Sequence, residues 1–233
     1  MQTYQEFLDR INSFEKREVF FGHEYFHGNP SIAQKVNQDN QFQPFYGDTM
    51  VFNLNEDVKE QLAEIVEKLY TQVPECFCEK LVPNTFHMTL HDLSNSPVLQ
   101  NVATEVFENE LKVVEIMKQI EPQKIRMKSK YIFNMVGTSM VLGLYPASEE
   151  DYVKLMELYE MFNAVKCLNY GLTPHITLGY YNVHGFSTEL ARKLEALVYE
   201  LNDLELEFDI STEDLYYQKF TTMNHYVDII GIK

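Results

Sequence analysis

His87 and His175 each open the same four-residue run, His87-Met88-Thr89-Leu90 and His175-Ile176-Thr177-Leu178, 88 residues apart. In a β-strand, residues i and i+2 share a face. Each run therefore presents an imidazole and a hydroxyl to one side, and anchors itself through two apolar side chains on the other. Two imidazoles suit proton transfer near neutral pH. A neutral one takes a proton from an attacking water or hydroxyl, and a cationic one returns a proton to the leaving oxygen. Two threonine hydroxyls suit donation to the non-bridging oxygens of a phosphoryl group, which carry the transition-state charge. The set points to phosphoester chemistry that needs no metal, and it leaves open which histidine is base and which is acid.

The elements that must position these residues are legible from periodicity. Apolar positions Tyr4, Phe7, Leu8, Ile11 and Phe14 predict a helix over 2–17, followed by an irregular stretch over 22–47. A strand over 49–54 leads into a helix opened by Asn55 and closed before Pro74, and the first motif follows as a strand over 85–90. A helix over 101–120 completes the first half. The second half repeats the order: strands over 124–135 and 139–145 around Gly137-Thr138, a helix over 149–168, the second motif strand over 174–180 and a helix over 187–202. Strands over 204–210, 214–220 and 225–232 close the chain. With no Ser/Gly-rich linker between the halves, two lobes of one unit are expected. If they pack about a pseudo-two-fold axis, the motif strands lie side by side and their four polar side chains face one cleft.

The paired runs Phe86-His87-Met88-Thr89-Leu90 and Pro174-His175-Ile176-Thr177-Leu178-Gly179 resemble the signatures of the 2H phosphoesterase superfamily, which includes RNA 2′,5′-ligase-like proteins and cyclic nucleotide phosphodiesterases. The resemblance covers about residues 48–232. It implies an α+β, bilobal fold: two pseudo-symmetric lobes with mainly antiparallel sheets lining a central cleft. It also implies His87 and His175 as the catalytic pair, Thr89 and Thr177 as phosphate binders, and hydrolysis of a 2′,3′-cyclic phosphate or a 2′,5′-type phosphodiester. Phe86 stands where a Pro such as Pro174 is often found. Residues 1–47 form an N-terminal extension similar to that of a bacterial subgroup, and 48–233 form the bilobal domain. The expected partner is a small nucleotide or a short RNA end, acting on a monomer. A non-catalytic nucleotide-binding module and a protein-interaction scaffold on the same fold are the alternatives.

Composition narrows the classes further. Thirty-five acidic residues against 19 basic ones give a formal charge of −16, unsuited to a long nucleic acid but compatible with a small anion in a locally positive cleft. Lys124, Arg126, Lys128 and Lys130 alternate along one strand face, which reads first as a solvated, charged edge. No apolar run is long enough for a membrane span, and the N-terminus lacks a signal core, so a cytoplasmic protein is expected. Cys76, Cys78 and Cys167 read as reduced thiols. No Gly-rich phosphate loop is present, and no cofactor or metal is expected.

Two further residues are candidates for substrate contact. His91 lies two beyond Thr89, on the same face if the strand is regular; a strand-end histidine without a catalytic role is the competing reading. On a strand, i and i+4 lie about 13 Å apart, too far for His87 and His91 to share an ion. Tyr181 falls on the face of His175 and Thr177, either stacking on a base or packing at the rim. His23 and His27 sit in a loop, His184 in a turn, and His225 at the start of the last strand.

Overall fold

The computed structural model describes residues 2–16 and 24–232. Helix α1 (Tyr4–Asn12) begins at a capping box, in which Thr3 Oγ1 accepts from the Glu6 amide and the Glu6 carboxylate accepts from the Thr3 amide. It buries Phe7 and Ile11. Strand β1 (Tyr46–Asn53) leads to α2 (Glu56–Gln72), capped as expected by Asn55 Oδ1, which accepts from the Val58 amide. Then come β2 (His87–Ser96), α3 (Ala103–Met117), β3 (Lys124–Met135), β4 (Ser139–Pro146), α4 (Glu149–Phe162), β5 (His175–Tyr180), α5 (Thr188–Leu201), β6 (Glu207–Ser211), β7 (Leu215–Thr222) and β8 (His225–Gly231). The helix expected over 149–168 stops six residues early. Asn163 ends it by turning its amide back to Glu160, which frees residues 168–173 to line the cleft.

The eight strands form one curled antiparallel sheet in the order β6-β3-β4-β5-β2-β1-β7-β8. Its halves are the two lobes, and they meet where Met88 of β2 pairs with Ile176 of β5. In each lobe a helix joins the two central strands, α2 between β1 and β2 and α4 between β4 and β5. After the next helix the chain crosses over. β3 leaves the first lobe to pair with β4, and β7 returns to pair with β1. The lobe of β1, β2, β7 and β8 therefore combines strands from the two ends of the chain, whereas that of β3, β4, β5 and β6 comes from one continuous stretch.

One face of the sheet meets the helices. Met88, Leu90, Ile176 and Leu178 are fully buried there, in one continuous apolar core with Leu62, Val66, Leu155 and Leu194. The N-terminal segment joins that core through Phe7, Ile11, Phe26, Ile32, Val36 and Phe45. Residues 24–45 also bond to both lobes. The Asn29 amide donates to Gly137, Phe26 and Phe186 exchange backbone hydrogen bonds, and the Phe45 amide donates to Thr221.

The alternating cations stand beside the sheet edge, since β6 lies outside β3. Arg126 pairs with Glu207 and Asp209, and Lys128 with Glu207, all half exposed. This is the solvated charged face expected, and it is not part of the cleft. Cys76 and Cys78 are buried and Cys167 is exposed, all as free thiols. Among the described residues no helix is long and apolar enough to cross a membrane.

Candidate active site

A cavity of about 510 Å³ lies over the seam between β2 and β5, lined by His87, Thr89, His175 and Thr177. The Met88–Ile176 pair lies at the centre of this arrangement. Continued by one residue each way, its antiparallel register sets His87 opposite Thr177 and Thr89 opposite His175. The two imidazoles are then diagonal neighbours, about 7–8 Å apart at the backbone. All four side chains are half-buried, while Met88 and Ile176 between them are fully buried on the other face.

The backbone fixes both rings in the same way. His87 Nδ1 donates to the Thr85 carbonyl at 2.7 Å, and His175 Nδ1 to the Thr173 carbonyl at 2.7 Å. A carbonyl only accepts, so in each neutral ring the proton sits on Nδ1 and the lone pair on Nε2. Neither Nε2 atom nor either threonine hydroxyl bonds to another described residue. The Thr85 carbonyl belongs to a 3-10 turn (Pro83–Thr85). The Thr173 carbonyl belongs to a loop held by α1, where the Arg10 guanidinium donates to Thr173 Oγ1 at 2.7 Å and to the Leu172 carbonyl.

Regular alternation stops at the same place in both motifs. Val51 pairs with Thr89 and Met50 with His91, so Leu90 is an extra residue in β2; Val141 pairs with Thr177 and Met140 with Gly179, so Leu178 is an extra residue in β5. Each is a bulge, and each reverses which residues face the cleft. The expectations for His91 and Tyr181 are corrected for this one reason. His91 is 1% exposed and turned into the core, with Nε2 on Asn163 Oδ1 and its ring against Tyr159. Tyr181 is fully buried among Phe26, Phe77 and Phe186. Their places in the cavity lining are taken by Asp92 and Tyr180, each five residues after its histidine. Lys35, Phe45, Tyr170 and Tyr226 also line it, none of them indicated by the motifs.

Solved structures share this architecture. A conserved protein of unknown function from Agrobacterium tumefaciens matches with a TM-score of 0.69 at 14% identity, over 89% of this chain and 94% of that one. A structure described as a phosphoesterase matches with a TM-score of 0.50 at 15% identity, over 81% and 97%. TT0787 of Thermus thermophilus matches with a TM-score of 0.50 at 14% identity, over 79% and 96%. The chain has the 2H phosphoesterase fold. No family model matches the sequence, and no curated protein does.

Within this 2H fold the two imidazoles differ electrostatically. Burial pushes the His87 pKa down to about 4, against the Thr85 carbonyl, with the nearby His175 lowering it further and the charge of Asp92 raising it. Burial also lowers His175, opposed by the Thr173 carbonyl and by the negative charge of Asp92, with Lys35 acting the other way. Asp92 is exposed at the cavity rim, where the Tyr170 hydroxyl donates to its Oδ2 at 2.8 Å. Tyr226 stands edge-on to His87 at 5.0 Å between ring centroids. The other histidines lie elsewhere: His184 against the Gln38 carbonyl, His225 opening β8 and His27 beside Tyr25. His23 lies outside the described residues. Among the described residues no three His, Cys, Asp or Glu side chains form a metal-holding group.

Proposed function

We propose that this cleft hydrolyses a phosphodiester on a nucleotide or short RNA end, either a 2′,3′-cyclic phosphate, whose ring opens, or a 2′,5′-type diester, which releases an alcohol. The observation that carries this reading is the matched pair of imidazoles in one cavity, each with its Nδ1–H held by a carbonyl and its Nε2 left to a ligand. His87 Nε2 takes a proton from water as the water oxygen bonds to phosphorus. The bond from phosphorus to one ribose oxygen breaks, and that oxygen takes the proton on His175 Nε2. One cyclic diester and one water give one phosphomonoester, and a proton passes back from His87 to His175 through solvent.

The assignment of roles follows the electrostatics. His87 is the imidazole kept neutral to lower pH, which suits a base. The Asp92 charge favours the cation of either ring, and with His87 held neutral an arriving phosphodiester anion favours that of His175 further. Thr89 and Thr177, each across the seam from the other motif's histidine, donate their hydroxyls to the two non-bridging oxygens.

Incubation with 2′,3′-cyclic nucleotides in EDTA tests the reading. Turnover is expected, falling by about a thousandfold in His87→Ala and in His175→Ala. Nucleotide binding without turnover would make the protein a binding module, and neither signal would make it a scaffold. An absolute metal requirement would overturn the mechanism.

A further inference from the structure

The mechanism uses four side chains from the two motifs, but the cleft contains a fifth group of opposite character to its rim. Lys35 comes from the irregular N-terminal segment and lines the same cavity. Its ammonium lies 5.2 Å from the centre of the Phe45 ring and 5.1 Å from that of Tyr180. Among the described residues it makes no hydrogen bond and no ion pair. Burial lowers its pKa, and the charge of Asp92 acts on it through space to favour its cation. Aromatic faces hold an ammonium without using its three N–H donors. Those donors remain for an anion.

The segment is built to hold this group in place. Asn29 caps the turn Pro30–Gln34, Ile32 and Val36 are buried, and the Lys35 carbonyl accepts from the Gln43 amide. The bonds of this segment to Gly137, Phe186 and Thr221 tie it to both lobes. Position along β5 separates Lys35 from the reacting centre. Tyr180, under the ammonium, lies three residues beyond Thr177, up to about 10 Å along a strand. That is about one sugar away from a phosphorus held by the threonines. Asp92, the carboxylate whose charge acts on Lys35, accepts its hydrogen bond from the Tyr170 hydroxyl and not from the ammonium. It would repel an anion and accept from sugar or base donors. The cleft is thus polarised along the seam.

We propose that Lys35 forms a second anion site, which selects substrates carrying another phosphate about one ribose from the one being cleaved. The substrate class is then a cyclic phosphodiester with a terminal phosphate, such as a 5′-phosphorylated 2′,3′-cyclic nucleotide or RNA end. This rests on the proposed function for the chemistry, but the anion site can be tested by binding alone.

Calorimetry with adenosine 3′-monophosphate and adenosine 3′,5′-bisphosphate separates the two sites. The parent protein should bind the bisphosphate about tenfold more tightly, as one charge-assisted contact provides. Lys35→Met should abolish that preference and leave monophosphate affinity within about twofold, whereas Lys35→Arg should retain it; a thermal melt checks that each variant folds. In turnover, the 5′-phosphate should lower KM with kcat little changed, and Lys35→Met should remove the difference. Equal weakening of both ligands in Lys35→Met would place the cation on the scissile phosphate and overturn the proposal. So would a parent protein with no preference. If Lys35-dependent preference is found but no cyclic nucleotide is turned over, the anion site stands and the catalytic reading falls.

Discussion

The two motif strands are alike in the groups proposed to touch phosphorus and unlike in what surrounds them. Each holds its histidine by a bond from Nδ1 to the carbonyl two residues back, presents a threonine beside it, and bulges at the following leucine. Five residues on, the likeness ends: β2 brings the carboxylate of Asp92 into the cavity, and β5 brings the ring of Tyr180 under Lys35. The backbone supports differ too. The loop before His175 is held by Arg10 from α1, while the turn before His87 is held within its own lobe, with the Val82 amide donating to Asn224. In the proposed mechanism the shared features supply the two proton carriers. The surroundings would separate their roles and orient a ligand.

Matched chemistry predicts matched losses. Thr89→Val and Thr177→Val should each lower kcat by about a hundredfold, the usual cost of one donor to a charged transition state. Steady-state rates that differ by more than about tenfold between them would break the symmetry. Arg10 acts through the loop it holds, and so is a positioning residue for His175 alone. Arg10→Met should lower kcat about three- to tenfold with KM nearly unchanged, since small misplacements of a catalytic group are costly. Arg10→Lys should recover part of the loss, and a KM effect without a kcat effect would contradict the assignment.

The subtlest test is of pH. The base must be neutral and the acid protonated, and both imidazoles are held below the ordinary histidine value. The profile of kcat/KM should therefore rise through about 4, the value for His87, and fall before 6.5, leaving its maximum on the acid side of neutrality. The Asp92 charge raises both pKa values, so Asp92→Asn should move the falling limb, and the rising limb with it, to lower pH. A limb that stays in place would remove Asp92 from the electrostatics of the acid.

The sequence made visible what is local. Helix α2 with its Asn55 cap, the turn at Gly137-Thr138 and the alternation from His to Thr in both motifs follow from short-range preferences and stand as periodicity set them. The first motif strand, expected over 85–90, runs instead from His87 to Ser96 after a 3-10 turn. The bulges do not follow, because an extra residue in a strand is defined by its partner strand, which is distant in sequence. A glycine within a strand is the one hint available, and Gly179 directly follows the bulged Leu178. Its partner motif has His91 there instead, so the hint does not repeat. Lys35 was hidden for another reason. Its segment has no regular element beyond a short turn, and long-range bonds, among them those to Gly137, Phe186, Thr221 and Glu79, bring it to the cleft. Residue types and spacing therefore reveal the reacting groups, and tertiary pairing decides which neighbours join them.

The central claim is that His87 and His175 act on one phosphorus, and a double-mutant cycle tests it most directly. With a 5′-phosphorylated 2′,3′-cyclic nucleotide as substrate, kcat/KM would be compared for the parent, His87→Ala, His175→Ala and the double variant. Groups that work as one unit are far from additive. The double variant should thus be about as slow as the slower single variant. Losses that multiply, or one single variant with near-parent activity, would contradict a shared centre.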